Sequence, residues 1–70
     1  MEPRHQLAAN VRRLRRDAEL TQERLADLAG THPGEISRIE RAARDPQFST
    51  LIRIARGLGV PPRALLADID

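Results

Sequence analysis

Apolar residues recur at helical spacing along most of the chain, and proline and glycine divide the pattern into five segments. The first segment carries apolar residues at the i, i+4, i+7 and i+11 positions of one helical face: Leu7, Val11, Leu14 and Ala18. Because no segment alternates convincingly with period two, strands are not expected. The pattern predicts an all-α domain of five short helices.

The second and third predicted helices are separated by a short turn. Thr21 is a good N-cap for the second helix, and Gly30 can adopt the left-handed conformation that ends it. The third helix opens at Pro33, since the N–H that proline lacks would be unpaired at a first helical position. Its inward face is predicted to carry Ile36, Ile39 and Glu40.

The last two predicted helices are apolar on one side. The fourth covers about residues 48–58, and its predicted inward residues are Phe48, Leu51, Ile54, Ala55 and Leu58. The fifth is brief, from Pro62 to about Ala67, with Leu65 and Leu66 as its apolar content.

The length and composition argue against several classes of protein. A chain of 70 residues forms one domain, 1–70, with little room for an enzyme pocket, and it has no evident nucleophile–base pair or glycine-rich phosphate loop. It has no cysteine, and its two histidines, His5 and His32, have too few neighbouring ligands for a metal site. We therefore expect no catalytic residues, no metal and no cofactor.

The distribution of charge favours a nucleic-acid partner. The longest runs without arginine, aspartate or glutamate are seven residues, so we expect a soluble, cytoplasmic protein with no membrane contact. All 12 basic residues are arginines; residues 1–16 and 36–63 each carry a net charge of +4, whereas residues 17–35 carry −4. Phe48 is the only aromatic residue. This argues against single-stranded nucleic acids and RNA as partners, because proteins that bind them stack the bases on aromatic side chains. Double-stranded DNA or a protein is the better candidate partner.

A helix-turn-helix motif is indicated by the segment of about residues 21–41, in which two short helices flank a glycine-containing turn. An ordered series of short residue groups carries a resemblance: Thr21-Gln22, Leu25-Ala26, Ala29-Gly30, Ile36-Ser37, Glu40-Arg41, Asp45-Pro46, Ile54-Ala55 and Leu58-Gly59-Val60. In this series the chain resembles the phage-repressor and Cro-like (XRE-type) helix-turn-helix family. The resemblance implies a lambda-repressor-like DNA-binding domain.

The chain departs from the family pattern after Glu40-Arg41, where the family usually places a glycine and this sequence has Ala42. Either the turn is built differently or Ala42 is strained by about 1–2 kcal/mol. Some controller proteins of restriction-modification systems have asparagine at this position and are stand-alone domains of about this size. The resemblance therefore favours that subgroup within transcriptional regulation.

The outward face of the third helix is the predicted base-reading surface. At about 100° per residue, this face presents Gly34, Ser37, Arg38 and Arg41, opposite the apolar face, with Pro33 at its start. Arginine is the side chain best suited to the O6 and N7 atoms of guanine. We expect base readout from Pro33, Gly34, Ser37, Arg38 and Arg41; without the surrounding motif, an ordinary solvated helix face would be the better interpretation.

The resemblance also implies contacts to the DNA backbone and a structural ion pair. The expected backbone contacts are Thr21, Gln22, His32 and Arg44, although a capping role for Thr21 and a solvent-facing role for Gln22 remain alternatives. The family pairs the positions of Arg15 and Glu40 in a largely buried ion pair, and we expect the same contact here.

The end of the chain is the predicted dimerisation region, about residues 58–70. A short fifth helix leaves apolar surface that a second copy could cover, so we expect Leu65, Leu66 and Ile69 at a two-fold interface. The sequence thus predicts a homodimeric, sequence-specific regulator that binds double-stranded DNA at a near-palindromic operator. The alternative is a protein-interaction module, such as an antitoxin-like partner.

Overall fold

The computed structural model of the chain describes residues 2–70, and it is all-helical over that range. Four α-helices follow one another: α1 (Pro3–Asp17), α2 (Gln22–Ala29), α3 (Pro33–Glu40) and α4 (Phe48–Leu58). The fifth predicted helix is a 3-10 helix, Pro62–Leu66. The predicted all-α class is therefore confirmed, with the correction that the last element is the tighter helix expected of short pieces.

The core is formed by the apolar faces of all five elements. Leu25, Ile36 and Ile54 are fully buried at its centre, and Val11 and Leu65 join them from the two ends of the chain. Helix α4 packs closely on α2 because Gly57 has no side chain: a Cβ there would lie 3.2 Å from Leu25 Cδ1 and 3.3 Å from the backbone nitrogen of Ala29. This packing fixes the position of α2 in the helix-turn-helix motif.

Two residues predicted to face the core lie at the surface instead. Ala18 is exposed because α1 ends one residue earlier, at Asp17. Phe48, the only aromatic residue, is 77% exposed, since it is the first residue of α4 and the buried residues of that helix all lie in its second half. The periodicity identified the correct face of each helix, but it did not show that the residues at the ends of that face lie beyond the core.

Leu65 belongs to the core of the single chain, with an exposed fraction of 1%, and this corrects its assignment to a dimer interface. The buried side chain of Asn10 explains its position, because the amide of Asn10 donates to the carbonyl oxygens of Leu65 and Ala67, each at 2.8 Å. These bonds fasten the end of the chain to α1. Leu66 is 51% exposed and Ile69 is half-buried against the core.

Each of the four α-helices in residues 2–70 ends in the same left-handed turn. The left-handed residues are Glu19 (φ 59°), Gly30 (φ 69°), Ala42 (φ 57°) and Gly59 (φ 72°). After α3, the N–H of Ala43 donates to the carbonyl of Arg38 at 2.9 Å, which is the bond that closes this type of helix end. The turn after α3 is thus the left-handed turn that glycine adopts without strain, and Ala42 adopts a conformation that costs a non-glycine residue about 1–2 kcal/mol.

Candidate nucleic-acid interface

Helices α2 and α3 are joined by a turn of three residues, Gly30 to His32. The hydroxyl Oγ1 of Thr21 accepts a hydrogen bond from the backbone N–H of Arg24 at 3.0 Å and caps the start of α2. At its other end Gly30 is left-handed, and the N–H of Thr31 donates to the carbonyl of Ala26 at 2.9 Å. These bonds satisfy backbone groups that a helix end leaves unpaired, so the turn holds α3 in one orientation against α2.

The five residues predicted to read bases lie on the outer side of α3 or at its end. Pro33 and Arg41 are exposed, whereas Gly34, Ser37 and Arg38 are partly exposed. Arg41 is the C-cap residue, and its Nε lies 3.3 Å from the carbonyl oxygen of Ser37. The structure therefore brings these residues together on one surface, opposite the buried Ile36 and Ile39.

Arg38 folds back toward the start of α3 and does not project straight outward. Its two terminal nitrogens lie 3.6 Å and 3.7 Å from the position that a Cβ on Gly34 would occupy. A Cβ at Gly34 would therefore be in ordinary van der Waals contact with the guanidinium, which lies over the first turn of the helix. Long side chains on a helix point toward its N-terminus, and recognition helices contact base edges with their N-terminal residues. The guanidinium of Arg38 is placed near that end.

The residues predicted to contact the DNA backbone are surface residues with different neighbours. His32 is exposed at the N-cap position of α3, and Thr21 is occupied in capping α2. The amide Nε2 of Gln22 donates to Glu40 Oε1 at 3.1 Å, a bond that the sequence pattern does not indicate. Arg44 is exposed in the loop after α3, and its Nη1 donates to Glu35 Oε1 at 3.1 Å. Of these four, Thr21, His32 and Arg44 are exposed and Gln22 is partly exposed.

The predicted ion pair between Arg15 and Glu40 is present beneath this surface. The guanidinium of Arg15 binds both carboxylate oxygens of Glu40, with Nε to Oε2 at 2.6 Å and Nη2 to Oε1 at 3.0 Å. Hydrogen bonding to Glu40 raises the pKa of Arg15. Burial acts in the opposite direction and lowers it, whereas the negative charge of Glu40 also raises it. This bidentate geometry is the strongest form of an arginine–carboxylate contact, and it joins α1 to the end of α3.

Two further bonds extend the contact around Glu40. Arg15 Nη1 donates to the carbonyl of Leu20 at 2.8 Å, and Arg12 Nη1 donates to the backbone carbonyl of Glu40 at 2.9 Å. Arg12 therefore satisfies a carbonyl at the end of α3, where a positive charge also favours the helix dipole. The sequence shows Arg12 only as one of the basic residues of the segment 1–16. Its specific partner could not have been inferred without knowing how α1 crosses α3.

Glu35 is the functional candidate that sequence reasoning missed. It lies three residues before Arg38 on α3 and contacts both Arg38 and Arg44. The i, i+3 spacing from Arg38 could have indicated the first contact. The second depends on the path of the loop 41–47.

This arrangement defines a helix-turn-helix protein. Helix α3 is fixed against the core, its outer face carries arginines, and the Arg15–Glu40 ion pair holds its inner side. Over the described residues 2–70, no helix is long and apolar enough to span a membrane. The same residues contain no cluster of three or more histidine, cysteine or acidic side chains that could bind a metal.

Comparisons with known proteins agree with this class. Residues 6–69 match the model of the helix-turn-helix domain family, so the chain belongs to this family, in its XRE-type branch. The chain is similar to control protein C.SmaI of Serratia marcescens, with 42% identity over 60 residues that cover 86% of this chain and 71% of the relative. It is also similar to the uncharacterized transcriptional regulator y4dJ of Sinorhizobium fredii, with 36% identity over 70 residues, covering 100% of this chain and 91% of that protein.

Among solved structures, the fold resembles the restriction-modification controller protein C.AhdI of Aeromonas hydrophila. The TM-score is 0.86 at 29% sequence identity, and the match covers 89% of this chain and 94% of that one. Fold and family together place the chain among DNA-binding transcriptional regulators.

Proposed function

We propose that the chain is a sequence-specific regulator that binds double-stranded DNA through the outer face of α3 and acts as a homodimer. The observation that carries this proposal is the placement of Gly34, Ser37 and Arg38 on the exposed side of a helix whose other side is fixed in the core. A helix held in this way can enter the major groove as a rigid unit. Pro33 and Arg41 flank the same surface.

Contacts to the phosphate backbone are assigned to the rim of this surface. Arg44 and His32 are exposed beside the start of α3, while Thr21 and Gln22 lie at the start of α2, where backbone N–H groups favour a phosphate. The amide of Gln22 keeps its bond to Glu40, so in this proposal the N-terminus of α2 carries most of that phosphate contact.

The biological role we propose is that of a controller protein of a restriction-modification system. This is supported by the names of the relatives, a control protein and a restriction-modification controller protein, and by the coverage of nearly the whole chain.

The experiment that tests DNA binding is selection of bound sites from random duplexes, followed by mobility-shift titration of the selected duplex and a scrambled control. We expect selection of a near-palindromic site with half-sites about one helical turn, roughly 34 Å, apart. Enrichment of no common sequence would contradict the proposal and favour a protein-interaction module.

We propose that the dimer forms through the region of about residues 58–70, with Leu66 at its centre. Leu66 is the exposed large apolar residue of this end, and Ile69 is half-buried beside it. Because Leu65 is buried in the single chain, it supports this surface from beneath and does not contact a partner directly. Sedimentation of the wild type at micromolar concentration should show a dimer.

The variant Leu66→Glu is expected to sediment as a monomer and to bind the selected duplex more weakly. Leu28→Glu is the control, because Leu28 is also a half-exposed leucine but lies on α2, outside the proposed dimer region. A wild type that is monomeric and still binds DNA as a single copy would overturn the dimer proposal.

A further inference from the structure

Two of the proposed DNA-contacting arginines share one carboxylate oxygen. Oε1 of Glu35 accepts a hydrogen bond from Arg44 Nη1 at 3.1 Å and lies 3.7 Å from Arg38 Nη2. The side chain of Glu35 is largely covered, whereas those of both arginines are about half exposed. A single acidic group therefore connects a residue of α3 with a residue of the loop that follows it.

The position of Arg38 is not explained by its own hydrogen bonds. Its Nε is buried, and within residues 2–70 it has no hydrogen-bond partner. Without another interaction, a rotamer that turns this Nε toward water would be favoured, since a buried unpaired donor costs free energy. The charge of Glu35, 3.7 Å from Nη2, is the interaction that favours this position of the guanidinium.

The loop that carries Arg44 is held from both sides. Asp45 accepts a hydrogen bond from Arg4 Nε at 2.9 Å, which ties the loop to the start of α1, while Arg44 ties it to α3. A polar cleft lies between these two tethers, lined by Thr31, Glu35, Arg44, Asp45, Gln47 and Thr50. Glu35 is the residue of this cleft that belongs to the recognition helix.

We infer that Glu35 is a positioning residue that increases the specificity of DNA binding, a role that rests on the proposed function. The carboxylate restricts both guanidinium groups to one arrangement. A duplex that matches this arrangement uses the remaining N–H donors of Arg38 and Arg44 without breaking either contact. An unrelated duplex must break the contacts or leave the two arginines unused.

The charge of Glu35 also acts directly on every duplex, because a carboxylate near phosphates is repelled. The two effects differ in their dependence on sequence. Repulsion weakens all duplexes by a similar factor, whereas positioning weakens unrelated duplexes more than the selected one. Specificity, measured as the ratio of the two dissociation constants, separates them.

The test compares Glu35→Gln with Glu23→Gln. Both variants remove one carboxylate from the first turn of a helix in the same motif, and Glu23 forms no ion pair with any other residue in 2–70. We expect Glu35→Gln to tighten binding of the scrambled duplex about fivefold more than binding of the selected duplex, the factor an exposed ion pair can supply. Glu23→Gln should change both by the same factor.

A second background shows whether the effect passes through the arginines. In the variant Arg38→Ala with Arg44→Ala, the further change Glu35→Gln should leave the ratio of dissociation constants unchanged. A fivefold change of the ratio that persists in this background would overturn the inference. Equal effects of Glu35→Gln and Glu23→Gln in the wild-type background would overturn it as well.

A measurement without DNA separates this inference from the proposed function. Rotation of the Arg44 guanidinium, followed by nitrogen-15 NMR of the free protein, should be slower in the wild type than in Glu35→Gln. Equal rotation in the two proteins overturns the positioning. If rotation is slowed but no duplex is preferred over any other, positioning stands, whereas both the proposed function and the specificity role fail.

Discussion

Helix α3 carries two glutamates that both accept hydrogen bonds from arginine, but they lie on opposite sides of the helix. Glu40 is on the inner side, with 4% of its side chain exposed, and it is bound in a bidentate manner by Arg15. Glu35 is on the outer side, where its partner Arg44 has 53% of its side chain exposed. The same two residue types therefore meet in two different dielectric environments.

The difference in burial determines what each pair can do. Breaking a buried pair leaves a charge without compensation in a region that water does not reach, which makes the contact an obligatory part of the fold. An exposed pair contributes little to stability because water and salt replace the lost partner. The Glu40 contact is thus suited to holding α3 in place, and the Glu35 contact to orienting two surface arginines without supporting the fold.

The largest expected effect comes from removing the inner carboxylate. We expect Glu40→Ala to lower the free energy of unfolding by about 3–5 kcal/mol, because Arg15 would be left largely buried without its partner. This is comparable with the whole stability of a small domain, about 5 kcal/mol at the low end. Urea denaturation followed by circular dichroism measures it.

Glu35→Ala is the control for this experiment, since it removes a glutamate from the same helix. A melting temperature of Glu40→Ala within a few degrees of the wild type would show that the inner pair does not hold the fold. The pKa of Arg15 is raised by Glu40, so its proton is lost only in strongly alkaline solution. The stabilisation that this shift represents is present below that range, and the loss in Glu40→Ala should not depend on pH near neutrality.

The next effect concerns the two arginines on the outer side. If Arg38 reads a base, Arg38→Ala should weaken the selected duplex by about 1–3 kcal/mol and relax the preference at one position of each half-site. If Arg44 meets phosphate, Arg44→Ala should weaken selected and scrambled duplexes by similar factors and reduce the salt dependence by about one unit of slope.

Titration of both variants at several salt concentrations distinguishes the two assignments. Their shared contact with Glu35 predicts a further result: each single variant should also reduce the effect of Glu35→Gln. The assignment would be reversed if Arg44→Ala lost the base preference at one position while Arg38→Ala weakened both duplexes by similar factors. Arg44 would then be the residue at a base edge.

Smaller effects are expected at the left-handed residues that end α2 and α3. Gly30 and Ala42 adopt the same left-handed conformation, and a Cβ on Gly30 would meet no atom within 4 Å. Gly30→Ala should therefore cost about 1 kcal/mol from backbone strain alone. Ala42→Gly should gain somewhat less, about 0.5 kcal/mol, because glycine also stabilises the unfolded chain.

Thermal denaturation of the two variants in parallel with the wild type measures both changes. Glu19→Gly is a useful companion, since Glu19 is left-handed and exposed, whereas Ala42 is buried and loses a packed methyl group. A loss of stability in both Ala42→Gly and Glu19→Gly would contradict the strain assigned to these helix ends.

The fold and the inner side of α3 could largely be predicted from the sequence. Apolar spacing, the cap at Thr21 and the glycine at Gly30 are local signals, and they gave the helices to within about a residue. The Arg15–Glu40 contact came from the family resemblance, because no local rule connects positions 25 residues apart.

The contacts on the outer side of α3 could be predicted only in part, since they depend on how distant segments of the chain pack together. The exposed face of α3 follows from helical periodicity, but the contact of Glu35 with Arg44 depends on the loop 41–47, and that of Gln22 with Glu40 on how α2 packs. Leu65 was misplaced for a similar reason. Its burial depends on Asn10, a polar residue that hydrophobic patterning passes over.

The smallest expected effect is that of the outer carboxylate on stability. Glu35→Gln removes two things, the ion pairs with Arg38 and Arg44 and a negative charge at the start of a helix, whereas Glu23→Gln removes only the second. The difference between the two variants is the contribution of the ion pairs, and we expect about 0.5 kcal/mol in urea at low ionic strength. In about 1 M sodium chloride the Debye length falls to roughly 3 Å, so the difference should disappear. A difference of about 2 kcal/mol that survives in high salt would mean that the outer pair holds the fold as the inner pair does, and that the role of Glu35 is not confined to positioning the two arginines.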